Sequence, residues 1–99
     1  MINTDISKWS YGQYASSNSG VDTMAFKIGR IEIYFSYDTV VAFREPHRAI
    51  VVRQNEWGST TGKHLNLLDY GDKSRRVSSD VFKERLNIVL KRHNLEMEM

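Results

Sequence analysis

Met24-Ala25-Phe26-Lys27-Ile28-Gly29-Arg30-Ile31-Glu32-Ile33-Tyr34-Phe35-Ser36-Tyr37-Asp38-Thr39-Val40-Val41-Ala42-Phe43-Arg44 is the stretch that decides the fold. Phe26 and Ile28 alternate with Lys27, and Ile31, Ile33, Phe35 and Tyr37 alternate with Glu32, Tyr34 and Ser36. Period two among β-branched and aromatic residues signals strands. Gly29 separates the first two runs and predicts a tight hairpin, because glycine accepts positive φ. Asp38-Thr39 predicts the next turn, and Val40–Arg44 a third strand. Glu45–Arg48, punctuated by Pro46, then connects to a fourth strand over Ala49–Arg53. Short turns between successive strands make an antiparallel meander, which has a face to bury.

A helix to cover that face is predicted near the C-terminus. Ser78-Ser79-Asp80 offers N-cap residues. Phe82, Leu86, Val89 and Leu90 follow at i, i+4, i+7 and i+8, which is one helical stripe. Lys91, Arg92 and His93 occupy the last turn, where cations suit the helix dipole. Asn94 marks a stop, and residues 95–99 form a fraying tail. Between meander and helix, Leu65–Tyr70 reads as a fifth strand, with a short helical turn as the alternative. Gly71–Lys73 reads as a turn and Arg75–Val77 as a short sixth strand. The expected architecture is α+β: one domain over 1–99, an antiparallel β-meander of four to six strands covered on one face by a C-terminal α-helix.

Residues 1–23 are polar, yet they contain Trp9, Tyr11 and Tyr14. Disordered tails lack aromatics, so part of this segment is expected to pack, its rings covering an open face of the sheet or forming a contact surface. Ser16–Gly20 is its flexible piece.

Composition narrows the function classes. No apolar run approaches the ~20 residues of a membrane span. The N-terminus lacks the basic and apolar regions of a secretory signal. The absence of cysteine removes disulfides and thiolate metal sites. These features give the expectation of a cytoplasmic protein. The net charge is +2, unevenly spread: residues 47–95 carry ten bases against five acids, whereas residues 1–46 carry four against five. A basic second half suits phosphate or an acidic partner surface, and equally an ordinary solvated face.

The candidate binding residues lie in Val51–Asn66, where the fourth strand runs into Trp57-Gly58-Ser59-Thr60-Thr61-Gly62-Lys63-His64, expected to be a polar loop. It resembles a phosphate-binding P-loop only superficially. Three residues, not four, separate its glycines, and His64 stands where the metal-binding hydroxyl belongs. His64 as a general base would need a nucleophile and an orienting carboxylate, and the sequence supplies no such set; the simpler reading is a histidine that hydrogen-bonds backbone and orders the turn. His47, His64 and His93 lack zinc-site spacing. No catalytic residue, metal or cofactor is therefore expected. Thr60 and Thr61 serve either a ligand or the turn. Trp57 is either a lid on the core or an anchor for a partner. Arg75 and Arg76, with Lys73, Lys83 and Arg85, form the densest basic cluster. Beside Tyr34, Tyr37 or Tyr70, it suits single-stranded nucleic acid.

Tyr11–Asn18, Tyr34–Arg44 and Trp57–Asn66, with the closing Arg75-Arg76-Val77 and its helix, resemble an uncharacterised family of small domains found mainly in phages, archaeal viruses and mobile elements. The resemblance spans roughly Trp9 to Arg92; Leu95–Met99 falls outside it. It implies an origin, not an activity, and carries over no catalytic residue. A small viral protein without a catalytic set suggests a stoichiometric binder of a host protein or protein–nucleic acid complex. By analogy of size and origin, one such role is inhibition of a host defence complex, as anti-CRISPR proteins perform. A nucleic-acid-binding accessory or regulatory protein is the alternative. The expected partner-binding residues are Trp57, Thr60, Thr61, Lys63, His64, Arg75 and Arg76.

Overall fold

A computed structural model describes residues 6–12 and 23–93. Five strands, β1 (Ile6–Ser10), β2 (Met24–Ile28), β3 (Ile31–Ser36), β4 (Thr39–Arg44) and β5 (Val51–Val52), form one sheet in sequence order. Every neighbouring pair is antiparallel; β2–β5 form the expected meander, and β1, from the segment expected only to pack, adds a strand at its edge. Two helices follow, α1 (Ser59–Asp69) and α2 (Ser79–Arg92), separated by a 3-10 turn over Lys73–Arg75.

The hairpins follow their turn residues. Gly29 has φ 61° and closes β2 onto β3 through the pair Ile28–Ile31, the geometry of a two-residue turn with glycine at its first corner. The next turn is Tyr37-Asp38, one residue earlier than Asp38-Thr39, because Thr39 already pairs with Ser36. Tyr37 takes the corner that favours glycine, at φ 53°. Between Tyr34 and Phe35 the register slips, so Tyr34 faces Ala42 while Phe35 faces Val40. Val41 is the extra residue of this bulge. As a result Val40 joins one core, and Val41 and Ala42 both join the other.

Both faces of the sheet are covered. On one, Ile31, Ile33, Val40 and Phe43 pack with Phe82, Leu86, Val89 and Leu90 of α2. This is the predicted apolar stripe, and each fully buried side chain in it stabilises by about 1.5–3 kcal/mol. Ser78 caps α2 by accepting from the Val81 amide. On the other face, Ala25, Tyr34, Val41, Ala42 and Val52 pack with Leu65 of α1, while Trp9, Tyr11 and Leu68 lie against them. Trp9 and Tyr11 meet Tyr34 edge to face, with ring centroids 6.1 and 5.6 Å apart. The N-terminal aromatics thus cover a sheet face. Tyr14, Ser16–Gly20 and residues 95–99 lie outside the described residues.

Three further expectations are corrected. The fourth strand shrinks from Ala49–Arg53 to Val51–Val52. The stretch expected as loop and fifth strand is one helix, α1. Its β-branched residues and Gly62 disfavour helix, but Thr61, His64, Leu65 and Leu68 recur at i, i+3, i+4 and i+7, and burial against the sheet overrides local preference. Asn55 helps to shape the entry: its Oδ1 accepts from the Trp57 amide at 2.9 Å and its Nδ2 donates to the Gly58 carbonyl at 3.2 Å. Gly62 gives that amide room, since a Cβ there would stand 3.1 Å from Asn55 Nδ2. Finally, Arg75–Val77 contributes only an isolated parallel bridge, Val77 to Arg53. Val77 donates to the Val52 carbonyl at 2.9 Å, and its own carbonyl accepts from Gln54 at 2.8 Å.

Candidate functional site

The structure sorts the seven expected binding residues into three places. Thr61, His64 and Arg76 are buried. His64 sits on the inner face of α1, with Nδ1 2.7 Å from Ser36 Oγ, which is also 3.1 Å from Thr61 Oγ1. The exposed ring of Tyr37 lies against its imidazole at 5.6 Å. This polar set pins α1 to the end of β3. Ser36 and His64 are each 2% exposed, so the hydroxyl–imidazole pair is closed to a substrate. Arg76 turns inward as well. Its Nε and Nη2 donate to the two oxygens of Asp69 at 2.6 and 3.0 Å, and Nη2 also donates to Asn66 Oδ1 at 2.9 Å.

Trp57, Thr60 and Lys63 lie at the start of α1, all exposed. Trp57 covers a buried guanidinium: Arg53 stands 5.0 Å from its ring and 5.1 Å from the ring of Phe82. Arg53 also donates to the Val40 carbonyl at 3.1 Å and to Ser79 Oγ. Trp57 is thus a lid that leaves 39% of its surface exposed.

Arg75 lies elsewhere, on a groove of about 770 Å³ between the β5 side of the sheet and α2. Arg48 lines it from the β4–β5 connection, Arg75 from the 3-10 turn, and Arg85 and Arg92 from α2. Its floor is aliphatic, built from Val51, Val77 and Val89 with the half-exposed Ile88. Glu45 is its one acid, already engaged by Arg92 at 3.0 Å, His93 at 3.1 Å and Arg48 at 3.8 Å. Burial would raise the Glu45 pKa, but the His93 hydrogen bond and the Arg92 and Arg48 charges outweigh it and hold the carboxyl below its ordinary value of 4.5. A second hollow, with Lys27, Arg30 and Arg44, shares Arg48 and Glu45 with the first. Tyr70 stands 96% exposed at φ 56° beside two further hollows that carry Arg75, and Arg44 with Arg48.

Arg75 and Arg85 belong to the basic cluster visible in the sequence, whereas Arg48, Arg92 and Ile88 become their neighbours only in the fold. A signal was present: Arg85, Ile88 and Arg92 fall at i, i+3 and i+7, a second stripe beside the apolar one. Arg48, far off in sequence, gave none. Among the described residues no group of three or more His, Asp or Glu side chains is placed to hold a metal ion. No helix among them is long and apolar enough to cross a membrane.

Residues 7–84 match the model of DUF8033, a family of unknown function, and the chain belongs to that family. No curated protein and no solved structure matches it.

Proposed function

From that membership no activity follows, and we propose from the surface chemistry that the chain is a non-enzymatic binding protein that meets a protein partner along the groove between β5 and α2. The observation that supports this is the pairing of four arginines with an aliphatic floor. Such a surface combines the desolvation energy of an interface core with the guanidinium forks that recognise carboxylates. The burial of the Ser36–His64 pair, each 2% exposed, favours binding over catalysis. The specific role we propose is stoichiometric inhibition of a host defence complex. It rests on the likeness of Tyr34–Arg44 and Trp57–Asn66 to domains of phages and mobile elements. The test is capture from a bacterial lysate with the tagged chain. The parent chain retains a partner in stoichiometric amount, and the double variant Arg75→Glu, Arg85→Glu loses it. Capture of nothing, or capture unaffected by the charge reversals, overturns the reading.

Tyr70 favours a second reading, nucleic-acid binding. A nearly fully exposed ring in a backbone conformation that favours glycine, flanked by Arg44, Arg48 and Arg75, suits base stacking beside phosphate contacts. A gel-shift series with single-stranded DNA then shows binding that weakens steeply with salt and is lost in Tyr70→Ala. Absence of binding at low salt removes this reading.

A further inference from the structure

Resting on the protein-binding reading, we propose that the groove takes an acidic amphipathic peptide segment of the partner, aliphatic side chains down and carboxylates out to the arginines. Three observations converge on that chemistry. First, the cations reach the groove from different elements: Arg48 from the β4–β5 connection, Arg75 from the 3-10 turn, and Arg85 and Arg92 from α2. Arg85 and Arg92 are seven residues apart on one helix, about 10 Å along its axis, so a segment lying parallel to α2 passes both. Secondly, the chain compensates this charge only in part, since one carboxylate is shared by two of the arginines and Arg75 has the charge of exposed Asp72 nearby without an ion pair. Glu45, the one acid in the lining, already serves Arg92, His93 and Arg48. Among the described residues Arg75 and Arg85 close no salt bridge. A wholly apolar occupant would strip water from these guanidiniums without replacing it. Thirdly, the floor is aliphatic. Its single aromatic, Phe43, is 2% exposed, so bases find nothing to stack on. Ile88, half exposed on α2, gives an aliphatic side chain a surface to cover.

The test uses a fluorescein-labelled peptide of alternating glutamate and leucine, titrated with the full chain at low ionic strength and followed by anisotropy. The peptide binds. Replacing its glutamates by glutamines weakens binding by about tenfold or more, the scale expected when charge-assisted hydrogen bonds are lost. Arg75→Gln with Arg85→Gln does the same, whereas Lys83→Gln with Lys91→Gln, an equal loss of two charges outside the groove lining, does not. Ile88→Ser weakens the leucine-containing peptide but not oligoglutamate of equal charge. Three results overturn the proposal: oligoglutamate binding as tightly as the alternating peptide, oligothymidylate outcompeting the peptide at these arginines, or no peptide binding. If no peptide binds while the lysate partner is still captured in an Arg75- and Arg85-dependent way, only the acidic-segment chemistry fails. If capture also fails, the protein-binding reading fails with it.

Discussion

Arg76 fastens the end of α1 to the chain that leads into α2. Its guanidinium and the Asp69 carboxylate are 4% and 9% exposed, so neither partner can return to water if the other is removed. Arg76→Ala therefore destabilises the fold by about 3–5 kcal/mol, the cost of a buried, unpaired charge. Replacing the pair together, Arg76→Met with Asp69→Leu, recovers most of that loss. Urea unfolding of the two variants checks both outcomes, and equal destabilisation would exclude the ion pair as the cause. Arg75 and Arg76 also show where residue-level reading stops. Adjacent and identical in type, they form one basic cluster in the sequence, yet one faces the groove and the other the interior. Which way each points depends on Asp69 and Asn66, seven and ten residues upstream. Thr61 and His64 share that fate: their side chains report polarity, while Ser36, on another element, determines that they lie inside.

At the scale of elements, strands with clear alternation and the α2 stripe were legible because one local period settles each. α1 was not, because its evidence is a burial pattern that needs the sheet to exist first. Even so, Val40-Val41-Ala42-Phe43 carried a hint: an unbroken apolar run belongs to a strand buried on both faces, which requires a second covering layer. The junction of the β4–β5 connection with α2 rests on Glu45, held by Arg92 and His93. Because the folded carboxyl has its pKa lowered from 4.5, the folded state binds its proton less readily than the unfolded chain. This contribution is complete above the unfolded value and fades as pH falls through the folded one. Glu45→Gln thus lowers stability at neutral pH by up to about 1 kcal/mol, the range for ion pairs whose cations are largely exposed. The gap between variant and parent closes as pH drops below 4.5. A urea series across pH measures it, and a gap that stays constant would exclude the carboxylate's charge as its source.

For the molecule as a whole, the two helices divide the labour. α1 closes the Tyr34 side of the sheet through Leu65 and the Ser36–His64–Thr61 set. α2 closes the Ile33 side and offers its outer stripe to the groove. The candidate site was half legible for this reason. The sequence supplies the cations, but the groove exists only where a helix near the C-terminus meets the connection before β5. The chain between the helices has a further effect. Val77 takes up hydrogen-bonding groups on the outer side of β5, so that flank of the sheet offers little for another strand to join. Among the described residues, β1 is the remaining edge of the sheet, and strand addition there would pair two copies through one edge each, a closed arrangement rather than a growing one.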